Sequence, residues 1–354
     1  MGAGMQAGTR KPPSPEPPPP RVWTSLDLIK WTAGYFLKKG LASPRLEAEL
    51  LLAEVLNCPR IKLYADFERP VPAEKLAKYR EFVKRRGDLR EPSQYILGYA
   101  QFIDLRLKVT PAVLIPRPET EILALWAVER LLTAGPQARS TAFQAVEVHG
   151  QDACGTEGES GGREESSQPG QIENRKSKIE NPRVLDLGTG SGCLALYIAS
   201  KVAHAAVIAT DISPAALAVA EENARALNLA QRVAFRQGSL FGALRPEEQA
   251  SFDLLVANPP YVDPAEAATL APEVREHEPR EALYAAGGGL DVVRAIVAEA
   301  AAWLRPGGWL GMELGLGQAE NVRQLAQARG VFQSVEIAAD GAKLPRYLHA
   351  QRRG

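Results

Sequence analysis

The 354-residue sequence predicts an α/β protein: a seven-stranded, mostly parallel sheet with helices on both faces, plus a small N-terminal all-helical domain. Three observations predict it. From Arg183 onward, short apolar runs alternate with helical patterns, which is how a parallel sheet with crossover helices reads. The first of these runs, Val184 to Leu187, enters a glycine-rich turn that opens a helix. Residues 23–91, by contrast, carry apolar residues at helical spacing.

Residues 1–22 are expected to be a disordered tail. Seven prolines fall in the first 20 residues, and little apolar surface is available to offset the entropy of ordering. The helical domain, 23–92, follows. Thr24 and Ser25 offer caps for a helix carrying Leu26, Ile29, Ala33, Phe36 and Leu37, and Gly40 offers its stop. Ser43 is an N-cap followed by Pro44 at the first helical position. Leu46, Leu50, Leu51 and Val55 supply the apolar face of that helix, and Pro59 ends it. A third helix starts near Pro72 with Leu76, Tyr79, Phe82 and Val83. Residues 60–91 hold ten Lys or Arg against six Asp or Glu. That excess reads either as a solvated helix face or as a docking surface for a partner bound to RNA.

Residues 93–118 form a linker with a β-strand or hairpin. Ile103, Leu105, Leu107 and Val109 alternate with Asp104, Arg106 and Lys108, the pattern of a half-buried strand over 102–109. Pro111, Pro116 and Pro118 then impose extended chain. The large domain spans 119–354. Glu119 begins a helix with Ile122, Leu123, Trp126 and Leu131 on its buried side. Residues 135–181 turn rich in Gly, Ser, Glu and Gln, with Phe143 the only aromatic, and are expected to be a disordered insertion. Strands are expected at 183–187, 206–210, 232–236, 252–257, 309–314, 331–338 and 346–351. Helices are expected near 191–202, 214–228, 290–304 and 317–329. The last two strands follow one another directly, so the sheet should end in an antiparallel pair.

Composition narrows function. Lys plus Arg total 42 and Asp plus Glu total 42, a zero net charge that argues against a dedicated nucleic-acid coat. No apolar run approaches the roughly 20 residues of a membrane helix, and residues 1–20 lack the apolar core of a signal peptide. Cys58, Cys154 and Cys193 are too scattered for a disulfide framework or a zinc site, so a reducing cytoplasm is expected. His149 and Cys154 in the insertion are too few to hold a metal.

Two motifs carry chemistry. Gly188-Thr189-Gly190-Ser191-Gly192 follows the strand that ends at Asp186-Leu187, at the sheet edge where open α/β folds bind ligands. Asp211 stands at the tip of the next strand, where a carboxylate can accept both hydroxyls of a ribose. Together they point to an adenosine-type cofactor. Asn258-Pro259-Pro260-Tyr261 ends the fourth strand. The prolines carry no N–H, Asn258 adds an uncharged acceptor, and Tyr261 adds an aromatic wall. Such a turn selects a planar –NH2 on an sp2 carbon: a carboxamide or an exocyclic base amine. That nitrogen is a poor nucleophile, so catalysis would be positional and electrostatic. A cationic sulfonium suits it as methyl donor, because its leaving group departs neutral. Ser191 and Ser213 lack a His and acid constellation for covalent chemistry. His277 is a possible general base, His204 and His349 read as structural, and Cys193 as packing.

These residues resemble the class I S-adenosylmethionine methyltransferases that act on amino nitrogens, whose sheet is Rossmann-like. Gln94-Tyr95-Ile96-Leu97-Gly98, Ile115-Pro116-Arg117-Pro118-Glu119-Thr120-Glu121 and Glu278-Pro279 with Ala282-Leu283 narrow the resemblance to the HemK-like peptide chain release factor N5-glutamine methyltransferases. The resemblance runs from about residue 24 to the C-terminus, apart from the insertion. It implies that Gly188, Thr189, Gly190, Ser191 and Gly192 wrap the methionine part of S-adenosylmethionine. Asp211 would hold the ribose, Leu240 would lie against the adenine, and Asn258 would border the cofactor. Asn258 and the carbonyl of Pro259 would accept from a glutamine amide in the Gly-Gly-Gln loop of a class 1 release factor, with Pro260 and Tyr261 completing the substrate site. No metal, DNA or membrane partner is implied, and a monomer is the default. Ser239 stands where an acidic residue is usual, and Lys343 replaces the glycine of an Asp-x-x-Gly-x-x-Arg motif that Asp340 and Arg346 otherwise fit. The rival substrates are a ribosomal-protein glutamine and the N6 of adenine, which needs base flipping. The rival of another class is a cofactor-binding protein without catalysis.

Overall fold

A computed structural model describes residues 22–133 and 181–354. The expected tail and insertion lie outside the described residues except for Val22 and Asn181. The chain divides into two compact units, Met1–Ser93 and Gln94–Gly354.

The first unit is helical. Helix α1 (Ser25–Lys38) begins at a capping box, in which the Thr24 side chain accepts from Asp27 N–H and Asp27 reaches back to Thr24. Its inward face is Leu28, Ile29, Thr32 and Phe36, whereas Leu37 points outward at 66% exposure. Helix α2 (Pro44–Leu56) buries Ala48, Leu51, Leu52 and Val55, a clean i, i+3, i+4, i+7 stripe. The expected member Leu46 lies outside that stripe and is exposed. The helix ends not at Pro59 but at Asn57, which takes the left-handed conformation that Asn tolerates. After a single turn, α3 (Lys62–Ala65), helix α4 (Ala73–Gly87) packs Tyr79, Phe82 and Val83 inward. The buried Tyr79 hydroxyl donates to Thr32 Oγ1 at 3.0 Å or to the Ala48 carbonyl at 3.1 Å, joining three helices.

A short helix, α5 (Ser93–Leu97), starts at the last residue of the first unit, and a hairpin, β1 (Tyr99–Phe102) and β2 (Leu105–Lys108), follows in the second. This corrects the single strand expected over 102–109. Ile103 and Asp104 form the turn, with Ile103 at φ 53. A β-branched residue rarely adopts that conformation; here Glu121 of helix α6 (Pro118–Thr133) pins it by accepting from Ile103 N–H at 2.8 Å.

The main sheet comprises β3 (Arg183–Leu187), β4 (Ala206–Asp211), β5 (Val233–Gln237), β6 (Phe252–Ala257), β7 (Leu304–Glu313), β8 (Phe332–Ala339) and β9 (Pro345–Arg352). Its order is β5-β4-β3-β6-β7-β9-β8. The first five pair in parallel, and β9 runs antiparallel between β7 and β8. So the expected antiparallel ending exists, with the last strand inserted rather than placed at the edge. Strands β3 and β6 are central and read as almost continuous apolar runs, because both their faces are covered. Residues of α6, of α7 (Cys193–Lys201), of α8 (Pro214–Ala226) and of the hairpin form one core with the sheet. Past β6, two short helices, α9 (Pro272–His277) and α10 (Arg280–Leu283), and a kinked turn, α11 (Ala286–Gly289), lead into α12 (Asp291–Trp303). That helix and α13 (Ala319–Ala328) pack with the sheet in the second core. The chain reverses its direction of winding between β3 and β6, so the carboxyl ends of these two strands form the switch point where such sheets bind ligands.

Candidate active site

Register decides what meets at that switch point. Leu187 lies beside Thr210 on one side and Ala257 on the other. The residues that follow, Gly188, Asp211 and Asn258, therefore emerge at the same level from three adjacent strands. They line a cavity of about 320 Å³, within the range of small-molecule sites. Thr189, Gly190 and Ser191 line it from the turn, Leu240 and Ser239 from the segment after β5, and Pro260 from the turn after β6. Gly192, Pro259 and Tyr261 do not line it. Gly192 has φ +84, and a Cβ there would stand 2.9 Å from Leu196 Cδ1, so its place is the tight entry to α7.

The turn is held from several directions. The backbone N–H groups of Gly188 and Thr189 both donate to the Thr210 carbonyl at 2.9 Å. Asp211 Oδ2 accepts from Gly190 N–H and Oδ1 from Ser213 N–H, each at 2.9 Å. Each oxygen keeps a lone pair for a further donor. Asn223 of α8, which the sequence did not single out, joins the turn to the hairpin. Its Nδ2 donates to the Ser191 carbonyl at 2.9 Å, and its Oδ1 accepts from Lys108 N–H at 2.7 Å.

Asp186 is buried behind the turn. Its Oδ2 accepts from Thr189 Oγ1 at 2.6 Å and Ala195 N–H at 3.2 Å, while its Oδ1 has no donor among the described residues. Burial pushes its carboxyl up to about 7. An orphaned acceptor bordering the cavity fits a positively charged amine, and the spare acceptor capacity of Asp211 fits a ribose diol. The positive-φ glycines Gly188 and Gly190 have nothing within 4 Å of an added Cβ, so the backbone there stays open to a ligand. These residues fit an S-adenosylmethionine molecule.

Around Asn258 lies a network that the sequence analysis missed. Asn258 Nδ2 donates to Thr120 Oγ1 at 3.0 Å, and Thr120 Oγ1 donates to Glu313 Oε2 at 2.8 Å. The Tyr261 hydroxyl donates to Glu313 Oε1 at 3.2 Å. Glu313, at the end of β7, is 1% exposed, and burial raises its carboxyl to about 7. Its only sequence signal was a lone carboxylate closing the run Trp309-Leu310-Gly311-Met312. A second buried carboxylate, Glu278, accepts from Ile115 N–H at 3.2 Å and pairs with Arg117. Burial raises its pKa against the opposing pull of Arg117. Two separate stretches of the family resemblance thus meet in one ion pair.

His277 ends α9 and does not line the cavity. His349 stacks on Trp126, with ring centroids 3.9 Å apart, and burial lowers it to about 3. Cys193 begins α7, where burial pushes its thiol up to about 12. Lys343 takes φ 62, a left-handed position at which glycine would be easier. Asp340 still holds that turn by accepting from Ala342 and Leu344 N–H, and it pairs with Arg346.

The family model of the methyltransferase small domain matches residues 172–277, and that of the PrmC N-terminal domain matches residues 27–98. With the sheet and cavity described above, this defines a class I S-adenosylmethionine-dependent methyltransferase. Among similar proteins, the release factor glutamine methyltransferase of Geobacter sulfurreducens is 40% identical over 303 residues, 86% of this chain and 88% of that protein. Those of Rhodopirellula baltica and Chlorobaculum tepidum are 34% and 36% identical over 93% and 94% of this chain, and 97% and 98% of their own lengths. The chain belongs to the release factor glutamine methyltransferase family.

Proposed function

We propose that this enzyme methylates the side-chain amide nitrogen, N5, of the glutamine in the Gly-Gly-Gln loop of class 1 peptide chain release factors. The observation that carries the reading is Asn258 at the cavity, with its Nδ2 committed to Thr120 and its Oδ1 left to accept from a substrate –NH2. Relatives that span nearly the whole chain bear the corresponding name.

When bound, S-adenosylmethionine supplies an electrophilic methyl on a positively charged sulfur that leaves neutral. Gly188, Thr189, Gly190, Ser191, Asp211 and Leu240 would hold it, with Asp186 facing its amine. Asn258 Oδ1 and the Pro259 carbonyl would accept both N–H bonds of the glutamine amide, so its nitrogen is aimed at the methyl. Those acceptors also stabilise the positive charge that grows on nitrogen as the N–C bond forms. One N–H proton then passes to solvent. Pro260 and the Tyr261 ring would wall the amide plane.

The domain reading fits this function. Residues 23–92 would dock the release factor, 93–118 would link, and 119–354 would carry out the transfer. No helix of the described residues is long and apolar enough to cross a membrane. A cytoplasmic monomer acting on a protein rather than on DNA completes the proposal.

The test is transfer of labelled methyl to four substrates: a release factor, the same factor with its Gly-Gly-Gln glutamine changed to alanine, a ribosomal protein, and duplex DNA. Label on the unchanged factor alone is expected. Label on the alanine variant, the ribosomal protein or DNA would refute the substrate. Asn258→Ala is expected to bind cofactor and factor while kcat falls about 100- to 1000-fold, the scale of losing one preorganised polar group.

A further inference from the structure

The buried chain Asn258–Thr120–Glu313 has a direction, and the direction is set at its far end. An ionised carboxylate is acceptor-only. With Glu313 ionised, the Thr120 hydroxyl has to spend its one proton on Oε2, at 2.8 Å. The Thr120 oxygen is then left with lone pairs alone toward Asn258, 3.0 Å away. An amide facing a lone pair turns its –NH2 to it, and the amide oxygen turns to the opposite side. Tyr261 occupies the other carboxylate oxygen, at 3.2 Å, so the same group also fixes the aromatic side chain of the turn.

We propose that Glu313, acting through Thr120, is the positioning residue that keeps the Asn258 carbonyl oxygen facing the substrate amide. The proposal rests on the reading of Asn258 as the acceptor for the glutamine –NH2. Without Glu313 the Thr120 hydroxyl is free to donate to Asn258, whose amide would then present –NH2 to an incoming –NH2, donor against donor. Among the described residues, no other hydrogen-bond partner of Asn258 or Thr120 imposes the orientation. The surrounding charged and titratable groups do not substitute for Glu313. Glu119 lies on α6, Cys193 on α7, and Arg346 and Tyr347 on β9, and of these only Arg346 favours the ionised carboxylate.

Glu313 is buried and acts at a distance from the substrate. Removing a buried acceptor leaves its donors, here the Thr120 and Tyr261 hydroxyls, without a partner. Glu313→Met is therefore expected to fold with a lowered melting temperature while kcat falls about 10- to 100-fold, the range for a mispositioned reacting group. Thr120→Val, nearly isosteric, should lower kcat by a similar factor, with the cofactor dissociation constant and the KM for release factor changed less than about threefold. Thr120→Ser, which retains the hydroxyl, should restore kcat. In the Asn258→Ala background, Thr120→Val should cost nothing further, since the group it orients is gone.

The proposal is overturned by any of three results: Thr120→Val and Glu313→Met within about twofold of wild-type kcat, Thr120→Ser as impaired as Thr120→Val, or a Thr120→Val loss that adds fully to Asn258→Ala. Each is measured with full-length protein and a release factor the wild type labels. A wild type that labels no release factor would instead refute the substrate reading, so the two failures are distinguishable.

Discussion

Gly289→Ala is expected to cripple transfer while leaving the cofactor bound. Gly289 lies in α11, outside the cavity, at φ +74. A Cβ built there would stand 2.1 Å from the Tyr261 carbonyl oxygen and 2.8 Å from Gln318 Nε2, whereas real Cβ atoms essentially never approach closer than 3.0 Å. That carbonyl is backbone and already accepts from Gln318 Nε2 at 2.9 Å. The next residue, Val262, exchanges hydrogen bonds with Leu283 and Ala285, at 2.9 and 3.0 Å. The clash cannot be relieved by one side chain, so the turn after β6 must shift by roughly 1 Å, a displacement that costs on the order of 100-fold when it moves a reacting group. The left-handed conformation adds about 1–2 kcal/mol for an alanine, or about 2–8 °C in melting temperature for a domain of this size. Gly330→Ala is the control: its φ is +67 and nothing lies within 4 Å of an added Cβ. Both variants should melt lower. Only Gly289→Ala should lose kcat, by about 10- to 100-fold, with the cofactor dissociation constant from calorimetry unchanged. If Gly289→Ala melts lower yet turns over like Gly330→Ala, the tight contact does not position the turn, and the reasoning fails.

Three further outcomes follow from the buried carboxylates and the chain's connections. Asp186 titrates at about 7 because burial disfavours its charge, and a cationic ligand amine favours that charge; cofactor affinity should therefore fall about tenfold from pH 8 to pH 6 and become pH-independent in Asp186→Asn, as calorimetry can show. Arg117→Met would leave Glu278, whose side chain is 1% exposed, without its cation. Its raised pKa would rise further, so the loss of up to about 3 kcal/mol should be present at pH 8 and shrink as pH falls through the carboxyl's pKa. Equal losses in urea unfolding at pH 8 and pH 5 would contradict this. Replacing residues 135–181 by a short Gly-Ser linker should leave kcat within about twofold, because the chain after it enters β3 at Arg183, the end opposite the glycine turn; a folded deletion without transferase activity would show otherwise.

Local pattern reached far into this molecule. The alternation after Arg183 marked all seven strands to within a few residues at most boundaries, because central strands covered on both faces must be continuously apolar. Only β7 starts well before its expected first residue, at Leu304 rather than 309, because Pro306, Gly307 and Gly308 hid its beginning. In the helical unit, α1 and α2 were found, but the inward stripes were partly misassigned: Leu37 and Leu46 are exposed, and Thr32 and Ala48 took the inward places. In a helix rich in leucine on several sides, period alone does not pick the face. The hairpin is one of two options the pattern allows, and its turn is not located by it, because that turn uses Ile103, a residue that local preference excludes and that Glu121 holds in place from another element.

The sequence by itself determined the class of fold and the chemistry on offer: a glycine turn after a strand, a carboxylate at the next strand tip, and an asparagine followed by two prolines and a tyrosine. Each is a local statement, since backbone freedom, missing N–H groups and side-chain acceptors belong to single residues and their neighbours. Only the tertiary structure decided that Gly188, Asp211 and Asn258 stand level, because strand register is set by pairing across the sheet. Only it joined Thr120 to Glu313, 193 residues apart, and so gave the Asn258 amide a direction. A hydrogen bond joins groups that are close in space, and a one-dimensional pattern carries no record of which distant donor will meet a buried acceptor.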